Sequence, residues 1–147
     1  MVARTQVGHV LPTRPTPFVD NDNRAFWTSG ESGVLSLQRC RACLNWIHPA
    51  APVCRRCRST DVGQQPTGGR GRVATYTVNH QPWIPGSAPY IIAWVELHEQ
   101  ENLILTTNLV DVEAEDVTIG LEVAVVFEKH PTQDIWYPLF APIGATA

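Results

Sequence analysis

The chain has 147 residues, of which 44% are hydrophobic, so it is long enough for one domain, or for a small module beside a modest core domain. No stretch approaches the roughly 18 apolar residues of a membrane span, and the polar N-terminus shows no secretory signal, so we expect a cytoplasmic protein that does not enter a membrane. Residues 1–89 hold ten Arg and four acidic residues, whereas residues 90–147 hold one Lys and ten acidic residues, an asymmetry that indicates either orientation on a partner or an ordinary mixed surface.

The first predicted elements are an extended arm and a short helix. Residues 1–19 contain three Pro and no hydrophobic periodicity, which indicates an extended arm. A helix is predicted for residues 23–28, but a helix this short is marginal in water unless its apolar face packs against something. Phe26 and Trp27 form that face, and they pack either on this chain or on a partner. A short strand at 35–39 follows.

Four cysteines form the strongest motif of the sequence. Cys40, Cys43, Cys54 and Cys57 have the spacing C-x2-C-x10-C-x2-C. A C-x-x-C pair turns back on itself so that both thiolates face one point, and two such pairs supply the four tetrahedral bonds of a zinc ion. The interval of ten residues is shorter than the usual interval of about 15–20 and indicates a compact ribbon. We therefore predict one structural zinc ion per chain, within a helix and zinc-ribbon domain of residues 20–66.

The alternatives for these cysteines are a disulfide pair or a redox-active C-x-x-C pair. Structural disulfides are rare in the cytosol. Redox pairs usually occur singly beside a β-α-β unit, whereas this chain has two pairs and no such unit. A site of four thiolates has no open coordination position, so the metal is predicted to stabilise the ribbon and not to catalyse a reaction.

Basic residues surround the cysteine motif: Arg39, Arg41, Arg55, Arg56 and Arg58. Arg forms bidentate hydrogen bonds with phosphate, so the cluster is a candidate contact for a partner, or for the phosphate groups of nucleic acid or of a cofactor such as coenzyme A. The alternative is a solvated basic surface whose charge offsets the net negative charge of a zinc ion with four thiolates. The sequence alone leaves both interpretations open.

The second half of the chain is predicted to be a β-barrel. A Gly-rich hinge at 67–71 is followed by runs rich in β-branched and aromatic residues, separated by turn residues, as strands should be. Five strands are predicted at 72–81, 90–97, 102–109, 121–129 and 135–140. Five strands with one longer connection fit a small closed barrel of the OB type over residues 67–147, and an open sandwich is the alternative. The predicted fold class is therefore mainly β.

The sequence offers no separate catalytic motif. A catalyst needs an activated nucleophile or a poised acid–base pair, and the predicted metal site uses every cysteine. The five histidines are scattered along the chain and fit no metal-binding or triad signature. We therefore predict no catalytic residue in this chain.

Aromatic side chains provide the candidates for an interface with another protein. Aromatic residues in loops often contact partners, and they also often cover one end of a barrel. Both interpretations stay open here. The candidate interface residues are Phe26, Trp27, Trp46 and Trp83.

Several segments, taken in order, resemble the DUF35 family. The matching segments are Ala25-Phe26-Trp27, Leu37-Gln38-Arg39-Cys40, the four cysteines, Gly71-Arg72-Val73, Tyr76-Thr77-Val78, Pro89-Tyr90, Ile119-Gly120-Leu121-Glu122-Val123 and Pro138-Leu139-Phe140-Ala141-Pro142. No one segment is diagnostic, and the specificity lies in their order over residues 20–142. The resemblance implies a rubredoxin-like zinc ribbon followed by an OB-fold. Leu44 and Arg58 stand where knuckles of this family usually have Gly, which adopts left-handed turns most easily.

The resemblance also implies a function. DUF35 proteins look like non-catalytic partners of thiolase-superfamily enzymes, which include thiolases and the lipid-transfer-like aldolases that shorten steroid side chains carried on coenzyme A. We therefore expect an accessory subunit of an enzyme that acts on acyl-CoA thioesters by thiolysis or retro-aldol cleavage, with the CoA thioester bound together with the partner. Such partners are usually dimers, which implies a 2:2 heterotetramer.

Two other functions stay open. A single-stranded nucleic-acid-binding module fits a zinc ribbon joined to an OB-fold, but it needs a basic groove with stacking aromatics. Residues 71–142 hold Arg72 and Lys129 against ten acidic residues, which disfavours nucleic acid. The third hypothesis is a free-standing CoA-thioester binding protein, which fold alone does not exclude.

Overall fold

The computed structural model describes residues 14–83 and 85–144. Most of the predicted arm, residues 1–13, lies outside these ranges, and residues 14–20 have no regular secondary structure. The rest of the described chain forms a small sheet that carries the cysteines, a closed barrel, and one short helix that contacts both. Within the described ranges, no helix is long and apolar enough to cross a membrane.

The cysteine-bearing part begins with helix α1 at Arg24–Thr28, which continues into a 3-10 turn at Ser29–Ser32. A three-stranded antiparallel sheet follows, made of β1 (Ser36–Cys40), β2 (Trp46–Ile47) and β3 (Val62–Pro66) in the order β2-β1-β3. The helix and β1 lie within one residue of their predicted positions, whereas the sequence does not predict β2 or β3. Strand β1 is central and pairs with both of its neighbours.

The second part is a closed barrel of five strands. They are β4 (Arg70–Asn79), β5 (Tyr90–Leu97), β6 (Ile104–Leu109), β7 (Glu122–Lys129) and β8 (Trp136–Pro142), with a 3-10 turn at Ala114–Asp116. The order around the barrel is β4-β5-β6-β8-β7, and neighbouring strands are antiparallel except β6 and β8, which are parallel. This is the five-stranded barrel of the OB-fold, so the predicted fold is confirmed and the open sandwich is excluded.

Alternation along the strands places one set of side chains inside the barrel. On β5, Ile91, Ala93 and Val95 are buried in the core, and the residues between them face outward. This period of two explains how an almost continuous apolar run forms one strand with a single inner face. The outer face of β5 carries Trp94, which is 53% exposed.

The apolar face of helix α1 packs on its own chain. Phe26 is buried in the main core, where its ring lies 4.9 Å from the ring of Trp27. The 3-10 turn then brings Gly30 against the barrel. A Cβ atom at this position would overlap the Cβ atom of Trp136 and lie 2.5 Å from Cδ1 of Phe127, so the close approach requires Gly.

Candidate metal centre and adjoining cavity

The four predicted cysteines come together in space. Their sulfur atoms all lie within 4.8 Å of one another. Cys40 Sγ lies 3.6 Å from Cys57 Sγ, and Cys43 Sγ lies 3.7 Å from Cys54 Sγ, so each close contact joins one pair to the other. Four sulfur atoms bound tetrahedrally to zinc at about 2.3 Å would be about 3.8 Å apart. The thiols are therefore already spaced for a tetrahedral zinc ion.

These distances also distinguish the site from a disulfide. All four cysteines are free thiols, and a separation of 3.6 Å is far longer than the S–S bond of about 2.05 Å. Cys40 and Cys54 are fully buried and pack against Ile47, whereas Cys57 is exposed. The site is therefore a compact cluster of thiols with one side close to solvent.

Two equivalent turns hold the cysteine pairs. The N–H of Leu44 donates to Cys40 O over 3.0 Å, and the N–H of Arg58 donates to Cys54 O over 2.8 Å. Leu44 and Arg58 both have a φ of 64°, in the left-handed region that favours Gly. The two knuckles thus keep their left-handed turns although Gly is absent, at a backbone strain of about 1–2 kcal/mol for each residue.

Hydrogen bonds from backbone N–H groups lower the pKa of the two buried thiols. Hydrogen bonds from the backbone, chiefly the N–H of Cys43, lower the pKa of Cys40, and the N–H of Cys57 is the main cause that lowers the pKa of Cys54 to about 7. The backbone N–H of Ser59 also lowers the pKa of Cys57, but the neighbouring thiols and burial together raise it to about 12. Adjacent thiolates repel one another, so this donor set requires a cation such as Zn²⁺ before all four sulfurs can be deprotonated.

The predicted basic residues divide into two groups. Arg39 lies over the ring of Trp46, 4.7 Å from its guanidinium carbon to the ring centroid, and its Nε donates to Leu44 O. Arg41 pairs with Asp61 at 2.8 Å. Both arginines therefore hold the ribbon together. Of the five predicted basic residues, Arg55, Arg56 and Arg58 have exposed side chains that make no polar contact within the described chain.

The four predicted interface aromatics occupy different environments. Phe26 and Trp46 are buried in the core of this chain. Trp27 is half-buried, with its ring 6.1 Å from the ring of Tyr137. Trp83 is 75% exposed in the loop between β4 and β5. Contact between these four residues and a partner stays a prediction. Trp83 is the most accessible of the four, and the buried rings of Phe26 and Trp46 are the least accessible.

A cavity that the sequence does not predict lies where α1, the ribbon and the barrel meet. Its volume is about 440 Å³. His48 lies in its wall, where burial lowers the pKa of this imidazole from 6.5 to about 4, so the ring is neutral at pH 7. The wall combines segments that are far apart along the chain, and no local pattern could reveal it. Its lining includes Arg14, Phe26, Trp27, His48, Asn108 and Leu139.

The fold and the thiol cluster define a zinc-ribbon and OB-fold protein. Residues 27–63 match the family model described as the rubredoxin-like zinc ribbon domain of ChsH2, and residues 64–128 match the model of the ChsH2 C-terminal OB-fold domain. A DUF35 domain-containing scaffold protein of Methanothermobacter thermautotrophicus is 33% identical over 98 residues, which cover 65% of this chain and 72% of that protein. The chain belongs to the DUF35 family, as the order of its segments predicts.

Further relatives include a chain of an aldolase and a probable enoyl-CoA hydratase subunit. A chain of the solved Ltp2-ChsH2(DUF35) aldolase is similar with a TM-score of 0.75 and 35% identity, over 86% of this chain and 98% of that chain. A probable enoyl-CoA hydratase alpha subunit of Thermomonospora curvata is 35% identical over 131 residues, which cover 88% of this chain. The match spans only 40% of the length of that alpha subunit. A DUF35 protein of Sulfolobus solfataricus, at 15% identity and a TM-score of 0.59, shares the fold.

Proposed function

We propose that this chain is a non-catalytic accessory subunit of a thiolase-superfamily enzyme that cleaves a C–C bond of acyl-CoA thioesters. The observation that carries the proposal is the similarity to a chain of the Ltp2-ChsH2(DUF35) aldolase, which extends over 98% of that chain. The name of that aldolase joins a DUF35 component to a second component, Ltp2. A chain made of the same ribbon and barrel is suited to the same position beside a thiolase-like or lipid-transfer-like subunit.

The places of the thiols and imidazoles support an assisting role. The four thiols cluster at the candidate metal site. His48 is half-buried and neutral, and His98 pairs with Glu122 at 3.0 Å. The Nδ1 atom of His130 accepts the backbone N–H of Thr132 and so holds the turn between β7 and β8. These thiols and imidazoles stabilise the fold, and we assign the reaction itself to the enzyme subunit.

One zinc ion per chain completes the ribbon in this proposal, and its role is structural because four thiolates leave no open coordination position. Metal analysis of the purified chain is expected to give one zinc ion per chain. Cys54→Ser should lose the ion and unfold the ribbon, whereas Thr60→Ala, at an exposed neighbouring position, should retain both. A chain that keeps the ribbon folded after complete removal of zinc would contradict this role.

The CoA thioester binds together with the partner in this proposal, and the exposed basic surface contacts its phosphates or the enzyme subunit. The double charge reversal Arg55→Glu and Arg56→Glu is expected to weaken the affinity for the thioester or for the enzyme. The control is Arg24→Glu, which reverses an exposed charge on α1. Unchanged affinity for both ligands would mean that this basic surface contacts neither the thioester nor the enzyme subunit.

The test of the proposed function is the dependence of the reaction on this chain. The thiolase-like subunit whose gene lies nearest is purified alone and with this chain, and both preparations receive a steroid side-chain CoA thioester with and without free CoA. Cleavage that requires this chain supports the proposal. A requirement for free CoA identifies thiolysis, and its absence identifies retro-aldol cleavage. Equal cleavage by the enzyme subunit alone would contradict the proposal. Since such enzymes are usually dimers, we expect two copies of each subunit in the complex.

A further inference from the structure

The cavity between α1, the ribbon and the barrel opens onto the edges of two strands. Residues 106–108 of β6 and residues 137–139 of β8 all line it. Side chains along a strand alternate between its two faces, so three consecutive residues can line one cavity only where the strand presents its edge. The cavity therefore faces the backbone of β6 and β8 at the parallel junction of the barrel.

Among the described residues, no strand pairs with most of this edge of β6. Strand β6 pairs with β5 along its whole length, but with β8 its described pairing is limited to Leu109 and Phe140. At Thr107 a side chain bridges the two strands, because Thr107 Oγ1 donates to Pro138 O over 2.9 Å. Pro138 has no N–H, so β8 cannot continue the ladder at that point. Residues 104–106 of β6 therefore form an open edge within the described structure.

The hydrogen-bonding pattern between β5 and β6 shows which backbone groups of β6 face the cavity. The N–H of Leu97 donates to Leu103 O over 2.9 Å, and the register that follows pairs β5 with β6 without interruption. In an antiparallel pair, only every second residue exchanges hydrogen bonds with the residue opposite. Counting from Leu103, the backbone groups of Ile104 and Thr106 point away from β5 and toward the cavity.

A partly buried guanidinium adds a specific requirement to the cavity. Arg14 Nε donates to Glu128 Oε1 at 2.8 Å, and Arg14 Nη1 donates to Asn108 Oδ1. Arg14 Nη2 is buried and has no hydrogen-bond partner among the described residues. Glu128 neutralises the charge of Arg14, so the remaining N–H calls for a neutral acceptor such as a carbonyl oxygen. The rings of Phe26 and Trp27 form an apolar part of the wall.

We propose that an extended peptide segment of the enzyme subunit enters this cavity and adds to the open edge of β6. Its backbone would pair with Ile104 and Thr106, one of its carbonyl oxygens would accept the Arg14 Nη2 donor, and an apolar side chain would pack on Phe26 and Trp27. An extended backbone is the ligand that presents donors and acceptors at the two-residue repeat of a strand edge. This inference rests on the proposed function, because it assigns the contact to the enzyme partner.

The recessed position of the edge favours a segment of the enzyme over a second copy of this chain. Helix α1 and the loop of the ribbon at 48–50 stand beside the open edge and form the other walls of the cavity. The β6 edge of a second barrel would lie behind the same walls, so two such edges could not meet. A terminus or an exposed loop of another protein is narrow enough to enter.

Substitution of Thr106 tests the proposal. Thr106→Pro removes an N–H that points into the cavity, without removing a bond from the β5 ladder. Thr106→Ala changes the same side chain and keeps the N–H. The dissociation constant of the full chain from the enzyme subunit is measured for both, with the unfolding midpoint as a check on folding. We expect Thr106→Pro to weaken binding by about tenfold or more and Thr106→Ala by less than about twofold.

Hydrogen exchange on the wild-type complex gives a second readout that needs no variant. The amide of Thr106 is expected to exchange more slowly in the complex than in the free chain. If the complex forms, but Thr106→Pro binds as the wild type does and this amide gains no protection, the inference is overturned while the proposed function stands. If the wild-type chain forms no complex, the proposed function fails and the inference fails with it.

Discussion

The side chain of Gln100 bonds to both backbone polar groups of Trp46. Gln100 Oε1 accepts the N–H of Trp46 at 2.9 Å, and Gln100 Nε2 donates to Trp46 O at 3.3 Å. Gln100 belongs to the hairpin between β5 and β6, and Trp46 begins β2 of the ribbon. The amide of one side chain thus takes the place of a neighbouring strand residue, and it fastens the ribbon to the barrel beside the buried Trp46 ring.

Truncation of this amide is expected to weaken the junction. Gln100→Ala leaves the partly buried N–H of Trp46 without a partner, whereas Trp46 O keeps the Nδ2 donor of Asn45, so the free energy of unfolding should fall by about 1–3 kcal/mol. Glu101→Ala is the matched control, because Glu101 is the exposed neighbour in the same hairpin. Urea denaturation measures both variants. A change at Gln100 no larger than the change at Glu101 would mean that the two hydrogen bonds add nothing to stability.

The close approach of Gly30 to the barrel predicts a second effect. Gly30→Ala places a methyl group against Trp136 and Phe127, neither of which presents a flexible end at that point, so we expect a loss of about 1–3 kcal/mol of stability. The exposed neighbour Glu31 provides the control variant Glu31→Ala. Thermal unfolding compares the two, and an alanine at position 30 that leaves the midpoint unchanged would show that the turn can move away from the barrel.

The strained turns of the zinc knuckles predict a gain in stability. Leu44→Gly relieves a left-handed backbone conformation and gives up little burial, because Leu44 is 59% exposed. Relief of about 1–2 kcal/mol is partly offset by the larger entropy of Gly in the unfolded chain, so the expected net gain is up to about 1 kcal/mol. Leu44→Ala keeps the strain and should give no gain. Unfolding of the zinc-loaded chain in urea measures the difference.

Arg58 occupies the equivalent position of the second knuckle, so the same comparison can be made there. Arg58→Gly should stabilise the zinc-loaded chain relative to Arg58→Ala, since both remove the exposed side chain and only Gly relieves the φ of 64°. If the Gly variants at both knuckles are no more stable than the Ala variants, the left-handed turns cost less than backbone sterics indicate.

Burial of His48 predicts a pH dependence with a definite sign. Its pKa is lowered to about 4 in the folded chain, against 6.5 when unfolded, so below pH 6.5 the unfolded state binds the proton and the folded state does not. The contribution to stability is therefore complete above pH 6.5 and is lost as the pH falls toward 4. The shift corresponds to a loss of roughly 3 kcal/mol.

A comparison of variants isolates this effect from protonation of the thiols, which is common to all of them. Stability is measured by urea denaturation between pH 4 and pH 7 for the wild type, for His48→Gln and for His80→Gln, whose side chain is exposed. His48→Gln should flatten the profile in this range, and His80→Gln should follow the wild type. If stability falls with pH by the same amount in all three proteins, His48 binds its proton in the folded chain and its pKa is not lowered.

Local patterns in the sequence predict the barrel and the thiol cluster well, for physical reasons. The apolar run of β5 is bounded by turn residues, so its limits coincide with the prediction. The cysteine spacing is a local property of two turns, and it brings the sulfurs together once each turn forms. Strand β3 is different, because Gly63 and Pro66 lower its intrinsic preference for extended structure, and pairing with β1 forms it.

The cavity and its residues could not be predicted in the same way. Arg14, His48 and Leu139 are separated by long stretches of chain and meet only after the ribbon docks on the barrel. The role of Gln100 has the same origin, because its partner Trp46 is 54 residues away. Such contacts depend on how the two parts pack, and no periodicity or spacing along the chain carries that information.

The most direct test of the accessory-subunit account is native mass spectrometry of this chain co-expressed with the thiolase-like protein whose gene lies nearest. We expect a stable heteromer with equal numbers of the two subunits and one zinc ion for each copy of this chain. A chain that remains alone in the presence of that protein would contradict the account, whatever its zinc content.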